Sequence, residues 1–444
     1  MSLAIAFGIA NLLAGTAGNR PIPASTAAVL VSESDFRPFE QDRAALGRLL
    51  FYDPILSGNR NISCGTCHHH SLASADGLPL GIGEGGTGIG SERSAPPGRH
   101  RIKRRMSRNS PALFNLGANE FRQVFHDGRI SVDEKYGNGF DTPAEEFLPN
   151  GLSSVLAAQS LFPIIGEIEM GGSPDENRVA AAVNERLDYG WPLIVERIRG
   201  IPEYAELFGE AYADIRDGAP LTIVHVANAI GDFVGAEWRS FDSPFDRFLA
   251  GDENALTEDQ HRGMLLFFGK GECSTCHGGK FFTDHGFHAL AVPPLGPGRT
   301  RKFDLLPRDV GRMGESDALA DAYRFRTPTL RNVALTAPYG HNGAFPDLNS
   351  VIAHHVDPLG SLSEWRPDSV ALPDADWLED TDFIVHDDRI EMTRFRAALD
   401  IEPVELDAGE IDDLVDFLKA LTGEESVHGR LGRPESVPSG LPVD

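Results

Sequence analysis

The chain has 444 residues, too many for one ordinary domain, and its 41% hydrophobic and 24% charged residues suit a soluble protein with a substantial core. A formal net charge of -26 argues against nucleic acid, whose phosphates it repels, and suits a cationic partner. Beyond the N-terminus no run approaches the roughly 18 apolar residues of a membrane span, so the mature chain is expected to have none.

Residues 1–20, MSLAIAFGIANLLAGTAGNR, read as the apolar part of a secretory signal followed by small residues from Ala14 to Gly18. That places the mature protein in the periplasm. From residue 41, QDRAALGRLLFYDPILSG is apolar at helical spacing until Asp53-Pro54 stops it. This helix delivers the chain to NISCGTCHHH, which holds Cys64, Cys67 and His68. A Cys-x-x-Cys pair alone can hold zinc, exchange a disulfide or carry a haem. The histidine directly behind it favours the haem: two thioethers fix the vinyl groups and His68 binds the iron. A long glycine-rich loop follows. Then RHRIKRRMSR, residues 99–108, concentrates Arg99, Arg101, Lys103, Arg104, Arg105 and Arg108 in an otherwise acidic chain. Its charge reads as a solvated loop, with a docking patch or cations near haem propionates as the alternatives.

Further on, NRVAAAVNERL and LTIVHVANAIGDFVGAEW have helical patterns, and SPFDRFLAGDENA marks a boundary near residue 245. In LTEDQHRGMLLFFGKG, Thr257 caps a helix, Gln260 reaches back to it, and glycines close the end. That helix leads to GECSTCHGG, with Cys273, Cys276 and His277. Four thiolates from two pairs can close a zinc tetrahedron, but zinc leaves the two following histidines unexplained. Two covalently attached haems c account for all four cysteines, and in bacteria such attachment happens outside the cytoplasm. A last helix, DAGEIDDLVDFLKALTG, has Asp407 as its cap and Glu410 as the reciprocal partner. The Pro/Gly-rich tail 425–444 reads as loose. The expected fold is mostly α, with two cytochrome c-like haem domains, residues 36–244 and 245–424, long loops and few short strands.

Two haem motifs at this separation, with RNSPALFNLG, FHDGR, FPIIGEIEMG and FRTPTLRNVALTAPYGHNG in that order, resemble the bacterial di-haem cytochrome c peroxidase and MauG superfamily. The resemblance runs from about residue 36 to about 422. It implies that the N-terminal haem meets hydrogen peroxide under a distal glutamine, proline and glutamate. In QSLFPIIGEIEM these are Gln159, Pro163 and Glu169, with Glu167 the nearest competitor. A carboxylate can take a proton from the near peroxide oxygen and return it to the leaving one. An amide can orient the peroxide, and a proline can crowd out a sixth ligand.

The resemblance also implies that the C-terminal electron-transfer haem has a second axial ligand nineteen residues beyond Thr336, where this chain has His355. The family has methionine or tyrosine there. His354 is the rival, since a one-residue slip in a helix rotates a side chain by about 100°. A calcium ion between the haems would take Asn109 and the carbonyls of Thr336 and Pro338. His341 would lie beside the second haem, and His126 replaces the tryptophan that the peroxidases carry between the haems. Trp191 and Trp238 remain, with nothing in the sequence to place them near a haem.

Three functions are consistent with these residues. A MauG-like enzyme, such as those of the methanobactin-associated (MbnH-like) group, uses peroxide to form a high-valent di-haem state and oxidises a residue, tryptophan foremost, on a secreted partner protein. A detoxifying cytochrome c peroxidase takes electrons from a small cytochrome or copper protein. A pure electron-transfer cytochrome would need neither Glu169 nor an open iron. The histidine at position 355 tips the reading toward the first.

Overall fold

The computed structural model describes residues 30–98, 101–300, 304 and 306–444. The signal-like segment 1–20 and the start of the basic stretch, Arg99 and His100, lie outside the described residues. The helix Gln41–Tyr52 ends where Pro54 follows, and the Asp53 side chain accepts a hydrogen bond from the Ile55 amide. Its buried face, including Leu46, Leu50, Phe51 and Tyr52, packs on the helix Ile223–Glu237. Gly47 lies at the crossing, where a Cβ would run into the Ala229 carbonyl and the Cβ of Phe233.

The second half repeats this device. The helix Glu258–Phe268 crosses the helix Ala408–Lys419 at Gly263, where a Cβ would meet the Asp413 carbonyl and the Cβ of Phe417. Both helices start as the sequence implies. Thr257 and Gln260 exchange hydrogen bonds of 3.2 and 3.0 Å, and Asp407 and Glu410 exchange bonds of 2.9 and 3.0 Å. Each Cys-x-x-Cys-His loop is therefore delivered by a helix held tightly against a later helix through a glycine. Phe233 and Phe417 are fully buried at these crossings, each worth about 1.5–3 kcal/mol.

Two large apolar clusters result. The first runs from Leu46 to Trp238 and the second from Phe245 to Leu421. Strands are short: Gln123–Val124, Ile130–Val132 and Phe140–Asp141 form one antiparallel ribbon, and Phe287–His288 pairs with Phe325–Arg326. The fold is mostly α with few short strands, in line with the expectation. No helix among the described residues is long and apolar enough to cross a membrane.

Two expectations are corrected. The tail beyond 425 is not loose: Val437 is buried in the first cluster, with Leu441 and Val443 packed against it. Ser439 donates to Asp53 at 2.6 Å, the amides of Leu431 and Gly432 donate to Glu237 at 2.7 Å each, and Thr66 bonds the Asp444 carboxylate. Proline and glycine mark the absence of a helix there, not the absence of contacts. The basic stretch is not simply solvated either. Arg105 makes a bidentate pair with Asp382, and Arg108 bridges Asp309 and Asp127, all buried or nearly so.

Asp127 is the hub of that cluster. It is fully buried and accepts from Arg108 at 2.6 Å, Arg299 at 3.0 Å and Arg129 at 3.2 Å. These arginines hold its carboxyl far below the usual carboxylate range despite burial. Asp127→Asn strips the anion from three cations and is expected to cost about 3–5 kcal/mol in denaturant unfolding of the holoprotein. A loss under about 1 kcal/mol, as for an exposed pair, would show that solvent screens the cluster.

Candidate active site

Cys64–Cys67 forms one helical turn, half-buried, whose capping Ser63 amide is taken by Thr66 Oγ1 at 3.0 Å. His68 follows. Its Nδ1–H donates to the Ser74 carbonyl at 3.0 Å, leaving the Nε2 lone pair for a metal. The second motif has the same build: Cys273–Thr275 turns, and His277 Nδ1–H donates to the Phe282 carbonyl at 3.0 Å. The four cysteines form no disulfide, and burial pushes the thiols of Cys64 and Cys67 up to about 12. They do not converge: among the described residues the one cluster of metal-type ligands is Cys276, Asp284 and His288. Two separate thioether-and-imidazole seats for haem c fit this donor set.

The segment expected to be distal comes within electrostatic reach of the first seat through Glu169. Gln159 sits near the end of the helix Val155–Ser160, and its side chain makes no hydrogen bond among the described residues. Pro163 opens a 3-10 turn, and Glu167–Gly171 forms a π-helical turn, a feature frequent at functional sites. That turn separates the two glutamates. Glu167 is exposed and pairs with Lys103 at 3.2 Å and Ser173 at 3.1 Å. Glu169 turns inward, its carboxyl folded over Gly166 and within electrostatic reach of Cys67. Burial pushes the Glu169 carboxyl above its usual range, while Arg129, Arg299 and Arg104 pull it down. Arg129 and Arg299 are the residues that sequence reasoning missed. Arg129 stood in the quoted FHDGR, but only the folded chain brings Arg299 to the same hub.

At the second seat the helix Leu348–Val356 presents both candidate histidines. His354 is fully buried and spends both nitrogens: Nε2 bonds the Leu290 carbonyl at 2.8 Å and Nδ1 the Ser361 hydroxyl at 3.1 Å. His355 bonds only through Nδ1, to the Val351 carbonyl at 2.7 Å, so its Nε2 stays open. Burial, and the neighbouring His355 imidazole, push His277 down to about 4. Among the described residues neither His277 nor His355 commits its Nε2, and His355 lies within electrostatic reach of His277.

Asn109 bonds residues of both halves of the chain. Its amide N–H donates to the His341 carbonyl at 2.9 Å, its side-chain NH₂ to Leu78 at 2.7 Å, and its own carbonyl accepts from His126 Nε2 at 3.1 Å. Asn109 Oδ1 and the carbonyls of Thr336 and Pro338 accept no hydrogen bond among the described residues, as oxygens kept for a hard cation would. His341 stacks on Phe325 with ring centroids 3.5 Å apart, and Arg108 lies over the same phenyl ring. Burial pushes His126 to about 4 and His341 to about 3, with Arg108 adding to both. Trp191 donates to the Leu161 carbonyl at 2.9 Å and meets Phe162 edge-on, behind the distal segment.

Two separate seats, a carboxylate over the first and imidazoles at the second define a di-haem oxidoreductase. The family model described as di-haem cytochrome c peroxidase matches residues 41–254. The chain is 30% identical over 321 residues to the methylamine utilization protein MauG of Methylorubrum extorquens, covering 72% of this chain and 70% of that protein. It is also 30% identical over 335 residues to cytochrome c551 peroxidase of Pseudomonas aeruginosa, covering 75% and 76%. Among solved structures, a MauG-like protein associated with microbial copper homeostasis aligns with TM-score 0.59 and 26% identity, over 93% of this chain and 97% of that one. The di-haem peroxidase BthA of Burkholderia thailandensis shares the fold at TM-score 0.57 and 22% identity, over 90% of each chain. The chain belongs to the di-haem cytochrome c peroxidase and MauG family. It is a peroxidase-type oxidoreductase with two haems c.

Proposed function

We propose that this chain is a periplasmic MauG-like enzyme: it reacts with hydrogen peroxide at the N-terminal haem and uses the C-terminal haem to pass oxidising equivalents to a residue, tryptophan foremost, on a secreted partner protein. The observation that carries this reading is that His355 leaves Nε2 free of hydrogen bonds among the described residues and lies within electrostatic reach of His277, while His354 has neither nitrogen free. Cys64, Cys67 and His68 hold the first haem in residues 36–244, and Cys273, Cys276, His277 and His355 hold the second in 245–424. Imidazole in place of thioether stabilises the oxidised metal, so the second haem shares oxidising equivalents rather than storing a reducing electron. Likeness to a MauG-like protein associated with microbial copper homeostasis supports a copper-handling partner, and a net charge of -26 suits one with a cationic face.

Bound haem supplies an iron that takes up peroxide and receives its two oxidising equivalents. The chain's own residues govern the protons. Glu169 accepts the proton of the nearer peroxide oxygen and returns it to the departing one, which leaves as water. Arg129 and Arg299 favour its charged form between the two transfers. Gln159 orients the peroxide with its uncommitted amide. Pro163, which has no N–H to offer, keeps the distal position clear of a protein ligand. A calcium ion, if bound, would be held by Asn109 and the carbonyls of Thr336 and Pro338, and His126 bonds the Asn109 carbonyl where an indole would otherwise carry charge.

Detoxification of peroxide with electrons from a small cytochrome or copper protein is the second reading. Equal identity to cytochrome c551 peroxidase favours it, and the histidine pair at the second seat weighs against it. Electron paramagnetic resonance of the ferric holoprotein is expected to show one high-spin haem and one low-spin haem of bis-imidazole type. Two low-spin signals would mean that the diferric protein has no open site, which would contradict the MauG-like reading and leave only a peroxidase whose site opens on half-reduction.

A further inference from the structure

We propose that Tyr52 is a redox-active side chain that holds one oxidising equivalent beside the first haem, with His70 receiving its phenolic proton. This rests on the peroxide reading above and adds a residue that no step there uses. Tyr52 ends the helix Gln41–Tyr52 and is fully buried. Its ring is pressed against Gly65, between the two cysteines of the first seat, so closely that a Cβ at Gly65 would run into it. No other side chain separates the phenol from the peptide that carries both thioether positions.

The hydroxyl bonds His70 Nδ1, and the two rings stack with centroids 5.7 Å apart and an angle of 26°. His70 Nε2 bonds Glu237 Oε1 at 2.8 Å, and Glu237 is fully buried. A carboxylate only accepts, so in the neutral imidazole Nε2 carries the ring proton and Nδ1 is left to accept from the phenol. The Leu431 and Gly432 amides, at 2.7 Å each, fix the carboxylate. Trp238, also buried, lies 5.0 Å from the His70 ring.

A buried tyrosine kept only for packing needs one acceptor, and a backbone carbonyl serves. Here the acceptor is a basic nitrogen whose tautomer is set by a buried anion. Oxidising a phenol away from water is costly if the cation is left without a partner, and cheap if the proton has a prepared place. The step balances. One electron leaves the Tyr52 ring for the oxidant that peroxide generates at the first haem. The O–H bond breaks as the Nδ1–H bond forms, the tyrosyl is neutral, and the imidazolium charge faces Glu237. An electron from the partner protein's side chain reverses both transfers.

The test is rapid-freeze electron paramagnetic resonance of the holoprotein after peroxide, with natural and ring-deuterated tyrosine, in the parent, Tyr52→Phe and Glu237→Gln. The parent is expected to give a tyrosyl signal that narrows on deuteration. Y52F, which keeps the ring and its packing, is expected to lose that signal while its haem absorption still responds to peroxide. E237Q is expected to lower the tyrosyl yield several-fold, because an amide no longer fixes the histidine tautomer. Haem bands that respond with no tyrosyl signal, or a signal unchanged in Y52F, would overturn the proposal and leave the peroxide reading standing. Parent haems that do not respond to peroxide at all would overturn both.

Discussion

Glu169→Gln is expected to slow the reaction with peroxide by about a hundred- to ten-thousand-fold, the usual contribution of general acid–base catalysis, while both haems stay attached. Glutamine keeps the shape and the contact with Gly166 but can neither take the proton nor return it. The companion substitution Glu167→Gln is expected to react near the parent rate, because Glu167 is exposed and tied to Lys103 and Ser173 on the outside of the turn. Stopped-flow absorption after mixing with peroxide measures both. A parent-like rate in E169Q together with a slow E167Q would transfer the role to the other glutamate.

His355→Met is expected to raise the potential of the second haem by on the order of 100 mV, well inside the ~0.8 V that axial ligation spans. Thioether favours the reduced iron and imidazole the oxidised one. His354→Gln makes a different change. It disturbs the bonds to Leu290 and Ser361 and so lowers stability, with the potential held near the parent's. Spectroelectrochemical titration separates the two. A potential unmoved in H355M would mean that another side chain ligates the iron.

The parts of this molecule legible in its sequence are those decided over short range. The capping pairs Thr257–Gln260 and Asp407–Glu410 form as read because each closes within one turn. The spacing from Thr336 favoured His355 but kept His354 as a rival, because each is one helical step from the other. What separates them is the Leu290 carbonyl, 64 residues away in sequence. Asp127 drew no reading within FHDGR, and Arg299, which makes it a hub, comes from 172 residues further on. The tail misled for a related reason: its few apolar residues show no periodicity, so their docking on the first core is invisible until that core exists. Tyr52 stood unremarked in a helical stretch, and the third histidine of CHHH carried no signal until the fold set Glu237 beside it.

The most direct test of the proposed chemistry is to mix the resting diferric holoprotein with stoichiometric hydrogen peroxide and no reductant. If the histidine-ligated haem shares the oxidising equivalents, the absorption of both haems is expected to change together. A copper-handling partner protein added afterwards is expected to restore the resting spectrum and, by mass spectrometry, to carry an oxygenated or cross-linked aromatic residue. A diferric protein inert to peroxide, turning over only when half-reduced and fed by a small cytochrome, would contradict that chemistry and establish the detoxifying peroxidase in its place.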